Sequence, residues 1–292
     1  MNQKTKGILL AIICAAVFGL WPNCVRAVYA EGGNTAFVVL VTTFARMLPL
    51  VLFCRFTNKP IFETREDMKL GLRGGFFQAA AVLSAQASLV YLPGPVSITI
   101  CFTQTLMLLF FLAWRGEAKL DAITIITTVI ALVGLSFVLN LWSQTGHVSI
   151  LGACLAFLSA VATMSRLYVF GQRTKTSNPA IVGAETFIFT MLFVLLVPLV
   201  QMPHLPATAA GWGWIALGSL TFSIGTFGMF YAIALIGSFR FSLFSKTEPV
   251  FTALFAALLI GETLHMGQYL GILLVVGSLA VYQYIDHKRK ET

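Results

Sequence analysis

The chain has 292 residues, of which 58% are Ala, Val, Ile, Leu, Met, Phe, Trp, Tyr or Cys and 10% are charged, against roughly 25% charged in an ordinary soluble domain. With a mean hydropathy of +0.87, this excludes a water-soluble enzyme of normal composition and also intrinsic disorder, which requires too little apolar surface to bury. The formal net charge of +8 comes without the exposed basic and aromatic surface that nucleic acid needs, so it reports on how the chain sits in a bilayer.

Crossing ~30 Å of hydrocarbon takes about 20 apolar residues in a helix. Charge clusters and Gly or Pro breaks divide the chain into ten such runs. A barrel strand would instead show about ten residues of alternating polarity, and a helix satisfies its own backbone in lipid.

The first run, 7–29, follows Lys4 and Lys6. Val28-Tyr29-Ala30 could pass for a signal-peptide cleavage site, but Arg26 and the Trp21-Pro22-Asn23 break interrupt the apolar stretch before it, so it reads as an uncleaved span. Trp21 and Asn23 offer an aromatic face and an amide at one depth, suited to stacking and orienting a solute; packing is the alternative for Trp21. The second run, 35–53, carries Arg46 seven residues short of its end, a candidate for an anionic ligand group or for bridging helices. In the third, 70–91, Gln78 and Gln86 are eight apart and Ser84 and Ser88 four apart, each pair along one face. The fourth, 96–114, adds Thr103 and Gln104, and the fifth is 121–141.

The sixth run, 150–170, places Arg166 near its charged end, where snorkelling accounts for it. The seventh, 179–200, holds Glu185 six residues past Pro179, either a proton-coupling carboxylate or a group that meets cytoplasmic water. Thr226 and Tyr231 lie in the eighth, 211–235. The ninth, 241–260, contains Lys246 and Glu248, and Pro249 frees a backbone carbonyl beside the carboxylate. A broken helix of this kind is the form transporter sites take; a structural ion pair of Glu248 with Lys246 or Arg46 is the other reading, strained for Lys246 because residues two apart face differently. The tenth run is 268–284.

Fifteen of the 19 Lys and Arg fall in six segments on one side: Lys4 and Lys6; Arg55 to Arg73; Arg115 and Lys119; Arg173 and Lys175; Arg240; and Lys288 to Lys290. The opposite connections, around Gly32, Pro93, Thr145, Leu205 and Thr263, carry none, although Arg26 lies about a turn away. Both termini are therefore expected in the cytoplasm, as an even span count also requires. Trp114, Trp142, Trp212, Trp214, Tyr282 and Tyr284 fall at run ends, as an interfacial belt. The five cysteines show no CxxC spacing, and His147, His204, His265 and His287 are scattered, so neither a metal site nor an enzyme is expected. Gly71, Gly74, Gly75, Gly225 and Gly228 read as close-packing positions, since no strand precedes them.

Shifting the chain by 145 residues superposes Gly7 on Gly152, Leu10 on Leu155, Ala11 on Ala156, Ala15 on Ala160, Ala87 on Ala232, Ser97 on Ser242 and Gly116-Glu117 on Gly261-Glu262. The expected fold is an all-α polytopic membrane protein of ten transmembrane helices in two five-helix repeats, 1–146 and 147–292. Five spans per half invert one repeat against the other, and such halves can open a midplane cavity to each side in turn.

Glu248-Pro249-Val250-Phe251-Thr252-Ala253-Leu254-Phe255-Ala256-Ala257, followed by Gly261-Glu262, resembles the ninth helix of the ten-helix EamA-type transporters of the drug/metabolite transporter superfamily, and Phe44-Ala45-Arg46 resembles their second helix. Gln104 departs from the pattern, standing where the shift would put Pro249. The resemblance implies a secondary active transporter, mostly an exporter of amino acids, other metabolites or drugs, in the bacterial inner membrane, without a cofactor. A passive channel or a non-transporting scaffold is the alternative. The expected partners are a small-molecule solute and the lipid bilayer, with proton coupling and a homodimer left open. Substrate-binding candidates are Trp21, Asn23, Arg46, Gln78, Gln86, Gln104, Tyr231, Lys246 and Glu248; proton-coupling candidates are Glu185 and Glu248. Amides, hydroxyls and aromatics suit a neutral or zwitterionic metabolite better than a phosphate ester.

Overall fold

The computed structural model describes residues 2–118, 120–143, 149–261 and 263–288; Lys119, Thr145, His147, Glu262, Arg289 and Lys290 lie outside the described residues. Among the described residues there are helices and connections but no strand. The helices are α1 Gln3–Ala30, α2 Thr35–Phe56, α3 Arg65–Ser88, α4 Gly94–Phe102, α5 Gln104–Trp114, α6 Ala122–Val138, α7 Ile150–Arg173, α8 Pro179–Val194, α9 Ala209–Phe244, α10 Glu248–Ile260 and α11 Met266–Lys288.

Residues just before the apolar runs start most of these helices. Asn2, Asn34, Thr64, Asp121, Ser149, Asn178 and Thr208 each accept a backbone N–H of the first turn, supplying partners for N–H groups that have none within the helix. At α3 the cap is reciprocal, with the Asp67 carboxylate accepting the Thr64 N–H.

Seven stretches are long and apolar enough to cross a membrane: Gln3–Ala30, Thr35–Phe56, Gly94–Trp114, Ile150–Arg173, Pro179–Leu199, Ala209–Leu259 and Met266–Asp286. Ala122–Val138 is equally apolar but shorter. The chain is a multi-pass membrane protein. Its large apolar side chains line the outside, as at Leu9, Phe44, Phe76, Phe110, Leu158, Leu220 and Leu258, while Thr42, Thr43, Gln78, Ser88, Thr105, Thr128, Thr186 and Ser242 are buried. This inverts the soluble pattern because lipid tails solvate apolar groups, leaving small and polar residues to hold helices together.

Helix α1 packs along α9, α3 along α7, α6 along α11 and α2 against α8. Close approach at the first two contacts depends on glycine. A Cβ on Gly7 would come within 2.5 Å of Ile236 and 2.8 Å of Leu235, and one on Gly152 within 2.7 Å of Leu92 and 2.8 Å of Tyr91.

Three interruptions shape the interior. Helix α9 is broken at Gly237, whose φ of 80° no other residue adopts without strain. A 3-10 turn at Ser245–Thr247 separates α9 from α10, with Pro249 in the first turn of α10, where its missing N–H is harmless. Helix α4 also gives way to α5 at Thr103, although Gln104 rather than proline follows. Side chains replace the proline's effect: the Thr103 hydroxyl donates back to the Ile100 carbonyl at 2.6 Å, and Lys246 Nζ donates to the Phe102 carbonyl at 3.1 Å.

Gly116 and Gly261 end their helices with φ of 72° and 74°, and nothing lies within 4 Å of a Cβ added at either. Gly116→Ala and Gly261→Ala should therefore each lower stability by about 1 kcal/mol through backbone strain alone. Gly213→Ala, in ordinary helix with open space around it, should leave stability equal or slightly higher. Thermal unfolding in detergent checks all three.

Candidate solute-binding cavity

A cavity of about 220 Å³ lies inside the bundle, reached by side chains of α1 to α5 and α7 to α10. Its polar lining includes Arg46, Gln78, Gln104, Arg166 and Glu248, and its apolar lining is largely aromatic, with Phe18, Phe102, Phe187, Phe222 and Phe241.

Arg46 is 5% exposed. Its own helix turns it inward: Nε donates to the Thr42 carbonyl at 3.1 Å and Nη2 to the Thr43 hydroxyl at 3.4 Å. The guanidinium lies over two rings, 4.8 Å from the centroid of Phe187 and 4.6 Å from that of Phe222. Such stacking compensates a desolvated cation through the negative faces of the rings.

Arg166 does not snorkel. Arg173 is the residue that ends α7; Arg166, two turns further in, donates to Gln78 Oε1 on α3 and lines the cavity. Seven residues of helix are ~10 Å, and measuring that depth from Arg173 would have identified Arg166 as a site residue. Glu248 reaches the same space from the first turn of α10. The positive end of a helix favours a carboxylate there. Among the described residues, neither Lys246 nor Arg46 comes within 4 Å of the Glu248 carboxylate. Lys246 is fully buried and serves the α4–α5 break, its Nζ also lying 5.4 Å from the Phe102 ring centroid.

The remaining candidates fall outside the cavity. Trp21 stacks on Phe222 at 4.9 Å between centroids, one layer behind it. Asn23 donates to the Thr252 carbonyl at 3.3 Å, tying α1 to α10. Tyr231 stacks on Phe227 at 5.2 Å, and Gln86 lies two turns along α3 from Gln78. Glu185 is 1% exposed, so it does not meet water; Arg173 Nη2 folds back to it at 2.8 Å and also reaches Asp67 at 2.6 Å.

That Arg173 cluster belongs to a set of polar ties at one end of the bundle. Glu117 accepts from Gln172 and from Tyr168 at 3.3 Å and pairs with Lys175 at 3.4 Å. Asp286 pairs with Lys4 and with Arg240 at 2.9 Å. Glu117, Gln172, Lys175, Arg240 and Asp286 border a second, more open cavity of about 410 Å³.

Asp67 and Glu117 lie outside the spans and below the usual carboxylate range. Burial raises both, but Thr64 and Arg173 outweigh it at Asp67, and Gln172, Lys175 and Tyr168 outweigh it at Glu117. A carboxylate with a depressed folded pKa contributes stability above its unfolded value and loses it as pH falls through the folded one. The ties at this end should therefore loosen below about pH 4, readable as faster thiol labelling of cysteines introduced there. Arg173→Ala would strand the Glu185 carboxylate and should cost about 3–5 kcal/mol. Adding Glu185→Gln should restore much of that, as measured by thermal unfolding.

Residues 150–283 match the EamA-like transporter family. An uncharacterized transporter of Synechocystis sp. is 26% identical over 97% of this chain and 94% of its own. The uncharacterized inner membrane transporter YicL of Salmonella typhimurium is 23% identical over 99% of each chain. A crystal structure that is 16% identical superposes with a TM-score of 0.75 over 93% of this chain and 97% of its own, a likeness of fold. The family match covers much of the second half of the chain, and the likeness to the two transporters runs over nearly its whole length.

Proposed function

We propose that the protein is a secondary active transporter that carries a small organic metabolite out across the inner membrane by alternating access. The observation that carries the reading is the origin of the cavity lining: Arg46, Gln78 and Gln104 come from 1–146 and Arg166 and Glu248 from 147–292. A site shared between two halves changes its openings when the halves rock against each other.

Several features support two inverted five-helix repeats. The α1–α9 and α3–α7 contacts are counterparts under the 145-residue shift, and so are two glycine contacts, Gly7 against Ile236 and Gly152 against Tyr91 just past α3. The left-handed glycines Gly116 and Gly261 are 145 apart, as are Thr103 and Glu248 at the two helix breaks. Ten spans follow if α4 and α5 are one broken span, α3 and α6 each cross, and Ala209–Leu259 crosses twice. Unbroken, those 51 residues would run ~77 Å, more than two hydrocarbon thicknesses, and Gly237 interrupts them.

On this reading the basic segments place both termini in the cytoplasm, and the ties of Glu117, Asp67 and Asp286 bridge the halves on that side. Glu248 is the carboxylate best placed to exchange a proton or a solute group, since it borders the cavity and opens a helix after a break. Glu185, held by Arg173, would serve the cytoplasmic closure.

Vesicles of both orientations, loaded with a panel of radiolabelled metabolites, should show saturable counterflow for at least one solute. Glu248→Gln should reduce it by about tenfold or more with unchanged membrane insertion. Flux that rises linearly with gradient and never saturates would make the protein a pore, and undiminished counterflow in Glu248→Gln would remove that residue from the site.

A further inference from the structure

The charges around the cavity do not balance. Two guanidiniums, Arg46 and Arg166, face it with one carboxylate, Glu248. Among the described residues no acid lies within 4 Å of either guanidinium. Phe187 and Phe222 lie against the Arg46 guanidinium, and Nε and one N–H of Nη2 are taken by Thr42 and Thr43, so what remains for a ligand is the Nη1 and Nη2 end, whose N–H groups can take a carboxylate in two parallel hydrogen bonds.

A second observation is independent of the charge count. Nε of Arg166, Nε2 of Gln78 and Oε1 of Gln104 are buried and have no hydrogen-bond partner. Gln78 is 1% exposed. Buried polar atoms are nearly always paired, and two of these three are donors on residues that line the same cavity as Arg46. The set calls for an acceptor-rich anionic group. It suits an ammonium less, which would add a third cation to a lining that holds one acid.

We infer that the solute is an organic monocarboxylate with an apolar or aromatic body and no ammonium group, its carboxylate held by Arg46 with Arg166 and Gln78, and its body against Phe18, Phe102 and Phe241. The inference rests on the transporter reading and narrows its solute class. The cavity of about 220 Å³ has room for a small carboxylic acid. A monoanion brings the charge of the lining and ligand to zero, whereas a zwitterion leaves one positive charge uncompensated in hydrocarbon.

Purified full-length protein in detergent, probed with radiolabelled phenylacetate, tests this. Saturable binding is expected, with unlabelled phenylacetate competing about tenfold or more better than phenylacetamide, its neutral isostere, or phenylalanine, its zwitterionic relative. Arg46→Gln should weaken phenylacetate by a similar factor; the order of competitors in the unaltered protein decides the matter even if that variant does not fold. Phenylalanine or phenylacetamide competing as well as phenylacetate, or no saturable phenylacetate binding, overturns the inference. If another solute of the vesicle panel shows saturable counterflow, only the solute class fails; if none does, the carrier reading fails with it.

Discussion

A charge in hydrocarbon must find compensation within the protein, and the interior of this bundle is arranged around that requirement. Arg46, Arg166 and Lys246, with Glu185 and Glu248, lie within its spans, and Arg173 ends one of them. Each meets the demand differently. Arg173 pairs with carboxylates, Arg46 lies over two aromatic rings, Lys246 takes a carbonyl left free at a helix break, and Arg166 takes a side-chain amide. Apolar packing between helices contributes little specificity in lipid, so these polar contacts fix which helices meet and at what depth.

Compensation also links the breaks to the cavity. Lys246 comes from the turn before α10 and bonds the carbonyl exposed where α4 ends, so each interrupted helix stabilises the other. The Thr105 and Ser242 hydroxyls, 2.7 Å apart, join the same two regions. Ser245 and Glu248 beside one break, and Phe102 and Gln104 beside the other, then face the cavity. In the alternating-access reading these crossed breaks form the pivot, because they hold the halves together near mid-depth while the ionic ties lie at one end.

Most of the helices could be read from the sequence, because a run of about 20 apolar residues preceded by Asn, Thr, Ser or Asp leaves little alternative in lipid. The depth of Arg46 and the break at Pro249 were legible for the same reason, as was the Gly116 and Gly261 correspondence. Rotation about each helix axis was not. Spans that are apolar all round carry no stripe to orient them, so the inward turn of Arg166, the burial of Glu185 beneath Arg173 and the placement of Gln86 and Tyr231 away from the cavity depended on contacts between distant segments. The α4–α5 break was hidden too, since a threonine hydroxyl and a lysine 143 residues away do what a proline would have announced. Trp21 shows the converse: its type and position suggest a ligand platform, but stacking on Phe222 makes it the support of a ring that faces Arg46.

The most direct test of a shared cavity between rocking halves is a pair of distances measured on one protein by electron spin resonance. One pair of labels would replace the exposed Leu120 and Thr176, the other the exposed Ala30 and Gln201 at the opposite end. The account predicts that solute shifts both distance distributions in opposite senses, one end parting as the other closes. Distances that stay fixed at both ends, or that widen together, would contradict it.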